Sequence, residues 1–195
     1  MSQRTSFWLT LGTLATTLAE IAGYHGDVAA GHFIPRGQMA VVGIAVLVGA
    51  ATVGGTLIAA LKRPRATARP PVAYRGQLIA NASTAAFIVG MLVYLAIYPP
   101  TPWVFDTTLA LAFVFGMMLV LPVAPADAPA VVAVLNGCAG LTACGAGFAV
   151  GSGIIVMAAA LVAAAGWILA IALQRTMTRS LTSAVFAAFE ERPGI

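Results

Sequence analysis

Charge is scarce in this sequence. Asp, Glu, Lys and Arg make up 8% of the 195 residues, against about a quarter in a soluble domain. Hydrophobic residues make up 61%. A core of ordinary size cannot hide that much apolar surface from water, so lipid is the expected solvent and an integral membrane protein the expected class. Cysteine is nearly absent. Cys138 and Cys144 lie six residues apart on what should be one helix, on different faces and too far apart to bridge. They read as small packing residues. The only histidines are His25 and His32, and no cysteine–histidine spacing suits a metal. Nucleotide motifs are missing too. Gly145-Ala-Gly147 and Gly151-Ser-Gly153 do not complete GxGxxG after a strand, and no GxxxxGK[ST] occurs. The net charge of +4 is no nucleic-acid footprint, because the basic residues cluster at the ends of apolar segments, where they orient a chain in a bilayer. No bound cofactor, metal or nucleic acid is expected on this chain.

Long apolar runs are what the sequence has instead. Six of them can each cross about 30 Å of hydrocarbon as a helix of roughly 20 residues. They lie near 6–24, 38–61, 76–98, 103–123, 128–150 and 152–174. Backbone polar groups in lipid must pair internally, and the runs lack the alternation of barrel strands, so helices are expected. The first run follows Arg4 and resembles a signal peptide, but it reaches a full membrane width and no clear cleavage site follows; a spanning helix is the preferred reading. The expected fold is an all-α bundle of six transmembrane helices over residues 1–174, then a short cytoplasmic tail, 175–195.

The loops give the bundle a direction. Lys62, Arg63, Arg65, Arg69 and Arg75 crowd the segment between the second and third runs, which should therefore be cytoplasmic. Alternation then puts Arg4, Asp127, Arg175, Arg179 and both termini inside. Asp27, His32 and YPPTPWVFD (98–106) fall outside, with Trp103 as an interfacial anchor, and GSG (151–153) makes the last outer turn. In the tail, Leu181, Val185 and Phe189 recur at helical spacing. That stripe suits a membrane surface or a partner, or a frayed terminus. Small residues are dense at 49–55 and 137–147, where they let helix backbones approach closely in lipid.

Polar groups at membrane depth are costly and tend to mark pathways. Asn136 lies about two turns into the fifth run; its amide can donate and accept, to orient a water or simply to fix packing. Asp127, just before Pro129, is either a helix cap or a functional acid. Thr52 and Thr56 most simply bond back to their own helix. Glu20, near Tyr24 and His25, falls close to the outer surface and is a candidate for taking up protons.

One family shares this pattern. From PADAPAVVAVLNGCAG through LTSAVFAAF the chain resembles the membrane domain of the proton-translocating NAD(P) transhydrogenase beta subunit. Asp127-Ala-Pro129, Val131-Val132, Leu135-Asn136, Gly140, Ala146-Gly147-Phe148, Gly166 and Arg179-Ser180 carry the resemblance. GAATVGGTLIAALK (49–62) adds Thr56, where a small hydroxyl residue is usual. The resemblance implies that the membrane domain passes protons while soluble domains transfer hydride between NAD(H) and NADP(H). Asn136, with Thr56 and Glu20, would lie on the proton path; Asp127, Arg179 and Ser180 would couple it to the NADP-binding domain. It implies partner chains for NAD and NADP binding, a homodimer of the whole complex, and a bacterial inner membrane as the setting. No redox domain is legible in these residues, so hydride transfer is expected elsewhere. The family's membrane histidine has no counterpart: counting back from Gly12, its position holds Trp8. A paralogue that has lost conduction and serves as a scaffold or transporter is the alternative.

Overall fold

The computed structural model describes residues 2–62, 76–175, 177 and 180–189. Six long helices dominate it: α1 (Ser2–Ala29), α2 (Arg36–Leu61), α3 (Gln77–Ile97), α4 (Pro102–Val120), α5 (Ala128–Ala149) and α6 (Gly153–Gln174). A short α7 (Leu181–Val185) runs into a 3-10 turn, Phe186–Phe189. No strand occurs among the described residues. Helices α2 to α6 are long and apolar enough to cross a membrane. Helix α1 is 28 residues long but falls outside that group, because Thr10, Thr13, Thr16, Thr17 and Glu20 dilute its apolar character. The first apolar run thus forms a longer and more polar helix than expected. It packs against α2, α5 and α6.

Short connections join α1 to α2, α3 to α4, α4 to α5 and α5 to α6. Pro102 opens the first turn of α4, where its missing N–H costs nothing. Gly151 takes a left-handed φ of 70° after α5, and Ser152 then caps α6 by accepting from the Ile155 N–H. Two crossings depend on missing side chains. A Cβ on Gly116 would fall on the Ala51 carbonyl, at the α2–α4 contact. A Cβ on Gly140 would meet the Ala163 backbone, at the α5–α6 contact.

The interior divides by level. One apolar cluster, with Tyr24, Met39, Leu95, Phe105 and Ala146, fills the end where α1 finishes and α2 begins. Tyr24 stacks on Phe105 with ring centroids 4.0 Å apart, and its hydroxyl donates to Pro99 O at 2.8 Å. A second cluster, with Val120, Val123, Ala128 and Val131, closes the opposite end and includes Ala184 and Ala187 of the tail. The tail is therefore folded back on its own bundle. The small face Ala184, Ala187 and Ala188 is buried, while Leu181, Val185 and Phe189 stay partly exposed. Two amides of α3 fasten it: Gln77 Nε2 donates to Ala187 O at 3.0 Å and Asn81 Nδ2 to Ala188 O at 2.6 Å.

Candidate functional site

Between the two apolar clusters lies a layer of polar side chains. Its centre is Asn136, which is fully buried. Thr13 Oγ1 donates to Asn136 Oδ1 at 2.7 Å. Asn136 Nδ2 donates to Val132 O in its own helix at 2.9 Å and reaches Thr10 Oγ1 at 3.3 Å. Thr10 and Thr56 share a hydrogen bond of 3.2 Å in which either hydroxyl can donate. Thr56 and Thr52 bond back to their own helix, as expected for such hydroxyls, and Thr52 also lies 3.1 Å from Leu135 O in α5. Both amide functions of Asn136 are thus engaged, and the layer ties α1, α2 and α5 together.

The layer continues along α1. Thr10, Thr13, Thr17 and Glu20 recur at i, i+3, i+7 and i+10, the repeat of one helical face, and all four are buried. That stripe rises about 15 Å, half the thickness of a bilayer's hydrocarbon core. Gly49 of α2 leaves room for it, since a Cβ there would collide with the Thr17 hydroxyl. At the top of the stripe Glu20 is 7% exposed, and neither carboxylate oxygen has a hydrogen-bond partner among the described residues. It borders a cavity of about 490 Å³ whose mouth is formed by Asp27, His32 and Phe33. His32 Nδ1 is 3.1 Å from Asp27, and His25 Nε2 is 3.0 Å from Asp106 of α4.

The other end is built differently. Asp127 is 1% exposed and sits just before α5, but its side chain makes no capping hydrogen bond. The capping reading of Asp127 is therefore not what the structure shows. Lys62, just past the end of α2, does act as a cap: its Nζ donates to Val120 O, Leu121 O and Val123 O at 2.5–2.7 Å and closes the C-terminus of α4. Burial pulls its pKa down from 10.5 to about 8, so the ammonium is still charged at neutral pH. Ser180 caps α7, accepting from Ser183 N at 3.2 Å. Arg179 lies outside the described residues, as do Arg63, Arg65, Arg69 and Arg75.

The structure thus brings Asn136 and Thr56 into one network and puts Glu20 at the cavity, while Asp127 and Ser180 belong to the opposite end. Trp8 is 68% exposed, on the outside of the bundle. The residues of α1 that face Asn136 are Thr10 and Thr13, which the reading of single polar residues missed. The signal was present in TLGTLATTLAE as a polar i, i+3, i+7, i+10 stripe. Cys138 and Cys144 are free and only partly buried.

The family model described as NAD(P) transhydrogenase beta subunit matches residues 1–194. The chain belongs to this family. No curated protein matches it. The transhydrogenase beta-subunit assignment and the apolar helices together make the chain an integral membrane component of a transhydrogenase.

Proposed function

We propose that this transhydrogenase membrane component conducts protons along the line from Glu20 through Thr17, Thr13 and Asn136 to Thr10 and Thr56, and that their passage is coupled to hydride transfer on separate soluble domains. The observation that carries the reading is one buried polar stripe on α1 that runs from the Asn136 layer to Glu20, at the edge of a cavity of about 490 Å³. A buried carboxylate without a hydrogen-bond partner is stable only with a proton on it or a cation against it. Glu20 is the titratable member of the line and takes the place of the missing membrane histidine. Threonine hydroxyls and the Asn136 amide hold no excess proton; their part is to orient water and pass hydrogen bonds.

Beyond Thr56 and Asn136 the line stops. Val131, Val132 and Val120 fill the interior towards Asp127, so the proposed path would adjoin the cavity at the Glu20 end and be shut by apolar packing at the Asp127 end. Asp127, Arg179 and Ser180 form the coupling region, where a partner domain carrying NADP(H) would act on the shut half. An NAD(H)-binding chain and a second copy of the complex complete the assembly in a bacterial inner membrane, with the Asp127 end and both termini cytoplasmic. The basic segment 62–75, which follows α2 in the sequence, supports this direction.

The test is proton uptake into liposomes holding the purified protein, under an imposed membrane potential. Uptake above empty vesicles that falls at least about tenfold in Glu20→Gln and Asn136→Ala supports the reading. Uptake unchanged in both variants refutes it. No uptake by the wild type, even with partner subunits added, favours the scaffold alternative.

A further inference from the structure

We propose that the cavity at the end of α1 is a binding site for small organic ammonium ions, held by Glu20 at its base. This goes beyond proton conduction and does not depend on it. Glu20 supplies two acceptor oxygens that nothing among the described residues satisfies, and it lines the cavity while 7% exposed. An ammonium group brings up to three N–H donors and the opposite charge, the pairing that such a carboxylate lacks. The walls suit the remainder of such a molecule. Met39, Val42, Ala146 and Ile155 line the cavity with apolar surface, which an alkyl or aryl group covers. The volume, about 490 Å³, lies within the range of small-molecule sites, about 300–1,000 Å³.

Charge selects the sign of the ligand. Asp27 stands at the mouth and, among the described residues, no Lys or Arg lines the cavity; His32, the basic member among them, is already bonded to Asp27. An anion would meet two carboxylates and no free cation. A divalent metal is disfavoured as well, since no group of three or more His, Cys, Asp or Glu side chains among the described residues could hold one. A monovalent cation with an apolar body matches both the base and the walls.

The experiment is titration calorimetry of the full chain in detergent micelles with benzylammonium, against protein-free micelles. Benzyl alcohol serves as the neutral probe of the same shape. One saturable site is expected for benzylammonium in the wild type, weakened about tenfold or more in Glu20→Gln. Benzyl alcohol is expected to show no such site. Glu20→Gln must keep the wild-type elution volume and melting temperature, which the loss of an unpartnered carboxylate predicts. A second variant, Val42→Phe, fills the cavity without touching the acid and is expected to abolish binding. Equal binding by wild type and Glu20→Gln, equal binding of benzyl alcohol, or no binding at all overturns the proposal. Proton uptake is not read in this experiment, so its failure leaves the conduction reading standing, and the reverse holds too.

Discussion

Asn136 joins three helices through one amide, and its replacement should be felt both in stability and in transport. Asn136→Leu leaves the Thr13 hydroxyl facing a methyl group and removes the contact to Thr10. Interhelical hydrogen bonds in membrane proteins contribute about 0.6 kcal/mol on average and up to about 1.7. A loss of about 1–2 kcal/mol is expected for this doubly bonded residue, read as a lower midpoint in detergent-induced unfolding. Some of this was legible in the sequence. A lone Asn in an apolar run is costly enough to stand out, and so is a lone Glu. Thr10 and Thr13 were not legible as single residues, because threonine is common in helices and usually bonds to its own backbone. Thr17 does that here, donating to Thr13 O at 2.8 Å; Thr13 reaches across to α5 instead. Which threonine crosses is decided by the neighbouring helix.

At the scale of elements, apolar run length is additive over many residues, so α2 to α6 could be read directly. Helix α1 shows the limit of that reading: the same hydroxyls that line its buried face lower its hydropathy. Close approach between helices follows from the glycines. Gly116→Val would push α2 and α4 apart and should give aggregated protein on size-exclusion chromatography. Gly90→Val on α3, where a Cβ has nothing within 4 Å, should elute like the wild type. The α4 terminus depends on Lys62. Lys62→Met removes three charge-assisted hydrogen bonds at a half-buried position, a loss of about 1–3 kcal/mol, seen as a lower melting temperature. That role could not be foreseen, since the lysine was read only as part of a basic loop. The tail was read by its large residues, Leu181, Val185 and Phe189, whereas Ala184, Ala187 and Ala188 make the contact because small side chains let it lie close. Gln77→Leu with Asn81→Leu should free the tail. Faster cleavage after residue 175 by a protease, with the bundle intact, is the expected result; unchanged cleavage would mean that the two amides do not hold it.

For the whole molecule, the account rests on an asymmetry. One end carries a cavity, a buried acid and a polar stripe reaching the middle of the bundle. The other buries Asp127 as well but has no such stripe among the described residues, and is otherwise packed with valine and alanine beneath the folded-back tail. A membrane component arranged this way would take up protons from one side and release them when the shut half is opened from the other. The most direct measurement is proton uptake by liposomes reconstituted with wild type, Thr13→Val and Thr13→Ser. Valine keeps the shape of threonine and removes only the hydroxyl that donates to Asn136, while serine restores it. The account expects uptake to fall about tenfold or more in Thr13→Val and to stay near wild type in Thr13→Ser. Equal uptake in all three proteins would contradict it, because the line from Glu20 to Asn136 would then not be the route.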